Sequence, residues 1–344
     1  MKVLLTGADG YIGARMGHVL LERGHDVLGL DSGFHRSGWL YNATERRPQV
    51  ITMDTRDVSV DDLRGFDAVV HLAEVSNDPV GELNAAMTYN VNHLGTLALA
   101  TKAKAAGVQR FVHMSSCSVY GASGEHASRE DDPTDPLTAY AKCKVLVEES
   151  VLPLADDAFS PTFMRNATAY GASPRQRFDL VVNDLAASAY LYREIRMSSD
   201  GTPWRPFVHV LDIAQAVACI LDAPRDRIHG EIFNVGSDNQ NYQIRQIAQI
   251  ISDLVPGCSL QIGDSSSDSR NYRADFTKIT TQLPGFACAW DVKRGAAELL
   301  DIFDWIGFDE ELYRWRGHTR IKQIRHLLDT SQIDDDLFWV RKPG

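Results

Sequence analysis

The sequence predicts an α/β fold, in which a doubly wound parallel sheet is followed by a smaller second domain. Apolar runs of strand length alternate with segments of helical periodicity through the first half of the chain. Three glycines spaced by three residues follow the first apolar run, and beyond about residue 170 the elements shorten and prolines interrupt them. Strands that alternate with helices form parallel sheets covered on both faces. A chain of 344 residues is long enough to bury such a core and to form a second domain.

Five strands and two helices are predicted in the first half. The strands are residues 3–5, 27–30, 50–53, 68–72 and 111–114. Helical periodicity covers residues 12–23, which end at Gly24, and roughly residues 89–106. Near the other end of the sequence, apolar residues from Ile321 to Leu328 have helical spacing and predict a packed helix.

Composition excludes several classes of protein. The formal net charge of -11 argues against a nucleic-acid binder, because such proteins cluster positive charge against phosphates. No apolar run approaches the roughly 20 residues that cross a bilayer, and the run that starts at Met1 breaks at Thr6, so we expect neither a membrane span nor a signal peptide. The five cysteines form no CxxC pair, which predicts neither a metal site nor a disulfide framework. We therefore expect a protein of the cytoplasm.

The glycines at positions 7, 10 and 13 follow a predicted strand and precede a predicted helix. In that context they permit a sharp turn, a close approach of the backbone to a pyrophosphate, and tight packing of the helix on the sheet. Tyr11 and Ile12 open the helix, whose free N–H groups attract anions. Glycines also collect in ordinary turns, so the motif depends on its surroundings. Here they predict a dinucleotide site.

Asp31 ends the second predicted strand, about twenty residues after the glycines. A carboxylate at this place accepts hydrogen bonds from the adenosine ribose and repels a 2′-phosphate. The alternative is a surface aspartate in a turn. Asp31 favours NAD over its phosphorylated form, with the cation Arg36 close by in sequence.

A second motif has the spacing YxxxK, formed by Tyr140 and Lys144. Four residues make about one helical turn, so the two side chains share a face and the ammonium favours ionisation of the phenol. The spacing alone also suits a solvated helix face. Ser115 to Gly121 add hydroxyls directly after the fifth predicted strand, where ligands bind in parallel sheets. Together these residues predict acid–base chemistry beside the dinucleotide.

Jointly, these motifs closely resemble the extended short-chain dehydrogenase/reductase family, in its NAD-dependent branch of nucleotide-sugar epimerases and dehydratases. The resemblance covers nearly the whole chain and includes TGxxGxxG at 6–13, HLA at 71–73, NHLGT at 92–96, SSCSVYG at 115–121, YxxxK, and residues 205–212. It implies a Rossmann-like cofactor domain at 1–170 with 207–236 and a substrate-binding domain at 171–206 with 237–344.

The resemblance also implies roles for individual residues. It makes Ser116, Tyr140 and Lys144 catalytic, with Lys144 also holding the nicotinamide ribose. Asp54 and Thr55 would flank the adenine, and Leu72, Ala73 and Asn92 would line the cofactor cleft.

For the substrate, the resemblance implies a diphosphate contact at Arg205 and a further phosphate contact at Arg270. Asn183 matches the first residue of a family asparagine pair, although the second is Asp184 here. Ser118 would offer a hydrogen bond to the sugar. The implied partner is a nucleotide-sugar substrate, and the implied assembly is a homodimer.

The expected reaction is NAD-dependent epimerisation of a nucleotide sugar at C4, through a transient 4-keto sugar. A nucleotide-sugar 4-ketoreductase, with NAD or its phosphorylated form, is the alternative within the fold, and a non-catalytic NAD-sensing module is the alternative of another class. Dehydrating relatives carry Asp-Glu after the catalytic hydroxyl residue, and decarboxylating ones keep the glutamate. This chain has Cys117 and Ser118 there, which argues against both reactions unless another carboxylate such as Glu74 substitutes.

Overall fold

The computed structural model describes residues 1–42, 45–124, 126–265 and 270–340. Its strands, in chain order, are β1 (Lys2–Thr6), β2 (Asp26–Asp31), β3 (Gln49–Thr52), β4 (Ala68–His71), β5 (Arg110–Ser116), β6 (Ala127–Ser128), β7 (Ser160–Asn166), β8 (Thr168–Tyr170), β9 (Glu194–Arg196), β10 (Trp204–His209), β11 (Ile232–Val235), β12 (Asn241–Gln243), β13 (Ser259–Gln261) and β14 (Arg273–Ala274).

The helices, in the same order, are α1 (Tyr11–Glu22), α2 (Asp78–Gly81), α3 (Ala85–Thr88), α4 (Gly95–Ala105), α5 (Ala139–Val151), α6 (Val181–Tyr192), α7 (Val210–Asp222), α8 (Ile244–Leu254), α9 (Thr277–Gln282), α10 (Val292–Ile306), α11 (Glu310–Arg314) and α12 (Arg320–Asp329). A π-helical segment, Tyr89–Leu94, joins α3 to α4. The helix predicted at 89–106 is therefore part of a continuous helical stretch that begins at residue 85.

Seven parallel strands form the main sheet, in the order β11-β7-β5-β4-β1-β2-β3. From β1 the chain first adds β2 and β3 on one side, and then returns to place β4 on the other side. This reversal creates the switch point between β1 and β4 at which parallel sheets bind ligands. The predicted α/β fold, Rossmann-like and doubly wound, is confirmed.

Apolar helix faces cover both sides of this sheet. On one side, α1 and α7 contribute fully buried residues such as Met16, Leu20 and Val217. On the other side, α4 and α5 contribute Leu99 and Val147 among others. Because helices cover both faces of the sheet, a ligand cannot bind on either face. In parallel sheets of this kind, ligands bind at the carboxyl ends of the strands.

The second half of the chain, together with β6 and β8 from the first half, forms smaller sheets, β12-β10-β8, β13-β9 and β14-β6. Its core is aromatic and gathers Phe178, Phe303 and Phe308 around α6 and α10. Two elements of this half return to the main sheet: β11 is its edge strand, and α7 packs with α1 on one face. The chain therefore crosses between the two regions several times, which brings residues from both to the switch point.

Residues 320–340, here named the covering segment, pack against the first half. Ile324 and Leu327 from α12 and Leu337 farther on are buried with Val75 and Val80, which follow β4. The predicted helix around Ile321 to Leu328 is confirmed and is amphipathic. Among the described residues, no helix is both long enough and apolar enough to cross a membrane.

Candidate active site

The glycine turn after β1 is built for close backbone contact. Gly7 has φ +71°, and a Cβ on it would lie 2.9 Å from the backbone of Leu72 and Ala73. A Cβ on Gly13 would lie 2.0 Å from the Gly7 carbonyl oxygen. No side chain caps the start of α1, whose N-cap is Gly10. This tight, bare turn therefore fits the pyrophosphate of a dinucleotide.

Asp31 lies at the end of β2 and organises the same turn. Its Oδ2 accepts from the Asp9 N–H at 3.0 Å, and its Oδ1 accepts from the Gly33 N–H at 2.8 Å. Burial raises the pKa of Asp31, although both backbone bonds oppose the increase. Each carboxylate oxygen has lone pairs left for a ribose hydroxyl. Arg36 extends across the same region to the Thr52 hydroxyl.

The next predicted contact, Asp54, is bound within the protein by Arg56. The Asp54 carboxylate accepts from the Arg56 N–H and Nε at 2.8 and 2.9 Å and from its Nη2 at 2.8 Å. The guanidinium lies 3.6 Å from the centre of the Phe338 ring and donates to the Asp336 carbonyl. Thr55 is buried beside them. The predicted adenine side is thus joined to the covering segment.

Buried arginines near the cofactor turn are a feature that sequence reasoning missed. Arg175 Nη2 pairs with Asp9 at 2.7 Å, and Arg177 Nε pairs with Asp179 at 2.8 Å. Burial, and then the charge of Arg177, lower the pKa of Arg320 on α12 to about 9. Within the described ranges, Arg177 Nη2 is buried without a hydrogen-bond partner. Arg320 is far in sequence from Arg175 and Arg177, so no local motif could have indicated that the three arginines lie together.

The three predicted catalytic residues meet at the carboxyl end of β5. Ser116 ends that strand, and its Oγ accepts from the Ser118 N–H at 3.2 Å. Thr138 caps α5, so Tyr140 lies in the first turn and Lys144 one turn later. The Ser116 side chain is among the groups that lower the Tyr140 pKa, and Lys144 Nζ lies 5.3 Å from the centre of the Tyr140 ring. The arrangement can move a proton between the phenol and a bound hydroxyl.

A buried carboxylate, Glu74, contacts this group. Lys144 Nζ donates to Glu74 Oε2 and to the Met114 carbonyl oxygen. The Glu74 side chain is 3% exposed, and the Lys144 side chain is 2% exposed. Thr96 donates to the other carboxylate oxygen at 3.4 Å. Sequence reasoning named Glu74 only as a substitute acid or base for the substrate, and its partner lies 70 residues away.

The pKa directions differ from the simple expectation for a tyrosine and lysine pair. Burial raises the pKa of Tyr140, and Lys144 only partly opposes this, while Glu74 and Asp78 add to the increase. Burial disfavours the Lys144 cation, but Glu74 and Tyr140 outweigh it, so the pKa of Lys144 is raised. Burial raises the pKa of Glu74 against the opposing effect of Lys144. Lys144 lowers the phenol pKa by less than burial raises it, so the ammonium alone does not bring this pKa below its ordinary value, contrary to our expectation.

Asn92, predicted to line the cofactor cleft, is fully buried and fixes the chain after β4. Its Oδ1 accepts from the Val75 N–H at 2.8 Å and its Nδ2 donates to the Val75 carbonyl at 2.9 Å. Leu72 and Ala73, just before, donate their N–H groups to Thr6 Oγ1. These contacts hold the end of β4 against β1, beside the glycine turn.

His71, Glu74 and His113 bring three potential metal ligands within 4.8 Å of one another. Both ring nitrogens of His71 are engaged, by Thr6 at 2.7 Å and Thr96 at 2.9 Å. The Lys144 ammonium already occupies the carboxylate. Because a cation repels a metal ion, we interpret the group as a polar network around the lysine.

The predicted substrate residues lie in two places. Arg205 and Arg270 flank Tyr272: Arg205 lies 5.1 Å from its ring centre, and both cations lower its pKa against burial. Arg270 also pairs with Asp78, near Tyr140. Ser118 Oγ is buried without a hydrogen-bond partner in the described part of the chain.

Asn183 points elsewhere, into the loop after β8. Its amide accepts from the Gly171 N–H at 3.0 Å and donates to Tyr11 Oη at 3.1 Å and the Arg177 carbonyl at 3.0 Å. Tyr11, the first residue of α1, donates in turn to the Gly171 carbonyl at 2.7 Å. These bonds join Asn183 to the glycine turn and to the loop after β8.

Comparison with known proteins places this geometry in context. The model of the NAD dependent epimerase/dehydratase family matches residues 3–236. A UDP-glucose 4-epimerase of Corynebacterium glutamicum is 30% identical over 271 residues, which cover 74% of this chain and 80% of the relative.

Two solved structures are similar over nearly their full length. The dTDP-glucose 4,6-dehydratase DesIV of Streptomyces venezuelae, with NAD and a nucleotide bound, has a TM-score of 0.78 and 25% identity, covering 91% of this chain and 100% of its own. MoeE5, solved with UDP-glucose and NAD, has a TM-score of 0.75 and 27% identity, covering 89% of this chain and 99% of its own. The similar proteins therefore include both an epimerase and a dehydratase.

Proposed function

Because this chain belongs to the NAD-dependent epimerase/dehydratase family, we propose that it is an NAD-dependent nucleotide-sugar epimerase that inverts C4 through a transient 4-keto sugar. The observation that carries the proposal is the nature of the groups around Ser116, Tyr140 and Lys144. They can oxidise and reduce one carbinol, and among the described residues the neighbouring Cys117, Glu74 and Asp78 are each buried as a thiol or already engaged by a cation.

Each candidate for a second acid or base is occupied or of the wrong type. The Cys117 thiol is 1% exposed, and burial raises its pKa, so it stays protonated near neutral pH. Glu74 is buried and paired with Lys144. Asp78 accepts from the Thr138 hydroxyl at 2.6 Å and pairs with Arg270. This favours epimerisation over dehydration or decarboxylation.

The residues present fit NAD, with the glycine turn at its pyrophosphate and Asp31 at its adenosine ribose. Bound NAD supplies the acceptor, and then the donor, of a hydride. The positive charge of oxidised NAD would oppose the effect of burial on the Tyr140 pKa. Tyr140 would then accept the proton of the sugar hydroxyl and later return it, and Ser116, which also lowers that pKa, would orient the sugar hydroxyl. Lys144 uses two of its three N–H donors on Glu74 and Met114, which leaves one for the nicotinamide ribose.

The covering segment favours a retained cofactor over one released in each cycle. Trp339 Nε1 donates to the Ser32 carbonyl at 2.7 Å, and Arg56 donates to Asp336 at 2.8 Å. The segment thus links the chain after β2 with the chain after β3, on the adenosine side of the cleft. A retained cofactor suits epimerisation, which needs no external exchange of NAD, whereas a 4-ketoreductase must exchange it.

The test is to identify the nucleotide bound to the purified protein by mass spectrometry, and then to incubate the protein with UDP- and dTDP-linked hexoses and uronic acids. We expect bound NAD and, by NMR, a C4 stereoisomer of one substrate with no net change of cofactor. A 4-keto-6-deoxy sugar, or a pentose with carbon dioxide, would refute the proposal. Net consumption of reduced cofactor would replace it with the ketoreductase.

A further inference from the structure

Glu74 has the contacts of a group that acts through Lys144 rather than on the substrate. Lys144 donates to its Oε2, Thr96 donates to its Oε1, and its side chain is 3% exposed. The next residue, Val75, is fixed by two hydrogen bonds to Asn92. The carboxylate is therefore held by groups from two helices, α5 and α4, while Asn92 fixes the backbone next to it.

We propose that Glu74 is a positioning residue, whose carboxylate holds the Lys144 ammonium beside Tyr140 and sets the pH range in which these two residues work together. This inference rests on the proposed oxidation and reduction at Tyr140. It assigns Glu74 no contact with substrate, cofactor or the reacting atoms.

The need for such a residue follows from burial. Lys144 is 2% exposed, and a buried ammonium without a partner loses its proton or destabilises the fold. Two neighbours, His71 and His113, carry no charge near neutral pH. Burial, and then the Lys144 cation, lower the pKa of His71 to about 3 and that of His113 well below its usual value. Both rings are therefore neutral, and Glu74 supplies the balancing charge.

The charge of Glu74 also reaches Tyr140. A negative charge near a phenol disfavours its ionisation, and Glu74 raises the Tyr140 pKa while Lys144 lowers it. The titratable groups that face the Tyr140, Lys144 and Glu74 cluster are His71 on β4, Asp78 on α2 with its partner Arg270, His113 on β5, and Cys143 on α5. Glu74 is the member that contacts the lysine directly.

If only this charge is removed, both limbs of the pH–kcat profile should move in the same direction. In Glu74→Gln the phenol loses a nearby negative charge, so the acid limb of the pH–kcat profile should move to lower pH. Lys144 loses the partner that keeps it protonated, so the alkaline limb should also move to lower pH. A displacement of each limb by roughly one pH unit is the size expected for one charge in contact.

The experiment compares wild type, Glu74→Gln and Glu149→Gln over the pH range in which the NAD-loaded proteins stay folded. Glu149 is an exposed carboxylate on the same helix as Lys144, so its variant removes an equal charge without touching the lysine. We expect both limbs to move in Glu74→Gln and neither to move in Glu149→Gln. A folded Glu74→Gln protein with the wild-type profile would overturn the inference.

A second measurement uses the wild-type protein and needs neither a stable variant nor an active enzyme. In protein labelled with 13C at lysine Cε, the Lys144 signal is assigned by its loss in Lys144→Met and followed by NMR against pH. It should remain protonated at about pH 10.5, where exposed lysines are half titrated. Titration of Lys144 below the exposed lysines would refute the role of Glu74, whereas an inactive wild type would count only against the proposed reaction.

Discussion

Replacing Tyr140 with phenylalanine separates catalysis from stability. The ring and its packing remain, and only the phenol hydroxyl is lost. If that hydroxyl is the proton acceptor, kcat should fall by roughly 10²- to 10⁴-fold, the usual contribution of general acid–base catalysis. Such a loss corresponds to about 3–5 kcal/mol in the activation free energy.

The effect on folding should be much smaller. One hydrogen bond between neutral groups contributes roughly 0.5–1.5 kcal/mol to the free energy of unfolding. For a chain of this length, such a change shifts the melting temperature by only about 1–2 °C. The two magnitudes differ enough to be measured on the same preparation.

The assay is epimerisation followed by NMR, with thermal unfolding and bound NAD measured in parallel. Ser123→Ala is a suitable control, because it also removes one hydroxyl but from a residue that is not part of the group formed by Ser116, Tyr140 and Lys144. A Tyr140→Phe protein that keeps its fold, its NAD and more than a tenth of wild-type turnover would remove Tyr140 from the mechanism.

Three further predictions follow from the same site. Titration should show NAD binding at least tenfold more tightly than its phosphorylated form, because Asp31 would face the 2′-phosphate; equal affinities would mean that Asp31 does not contact the ribose. Ser118→Ala should lower kcat/KM for the nucleotide sugar by roughly 2- to 10-fold, the value of one hydrogen bond, with no loss of stability, and unchanged kinetics would exclude Ser118 from the sugar site. The free energy of unfolding should fall as the pH drops from about 6.5 towards 3, because burial lowers the folded pKa of His71 to about 3 and the unfolded chain then binds more protons; urea titrations of His71→Asn should show a shallower fall, and an equal slope would contradict this account.

The first strand, the glycine turn and α1 could be predicted because each depends on neighbours in sequence. The strand β7 could not, since Ser160–Asn166 includes a proline and polar residues although every one of its residues is buried. Arg165 is tolerated there because it pairs with Glu148 on α5 at 2.7 Å. A pattern of apolar residues does not reveal a polar pair that forms only in the fold.

The same limit applies to the site. Ser116, Tyr140 and Lys144 were identified from motifs, and the structure brings them together. The role of Glu74 depends on a contact with Lys144, and the position of Arg320 depends on how α12 packs, so neither has a local signature. The motif at Asn183 predicts a substrate contact, and its hydrogen bonds go to Tyr11 and the loop after β8; the substrate contact stays a prediction.

The covering segment has a consequence for synthesis of the protein. Ser32 and Trp339, which are joined by a hydrogen bond, are 307 residues apart. At roughly 5–20 residues per second, a ribosome needs about 15–60 s to pass from one to the other. During that time the nascent first half holds Val75, Val80 and Met87 without the apolar partners that later bury them. The cofactor cleft is therefore completed late in translation, and exposed apolar surface of this kind is what chaperones recognise.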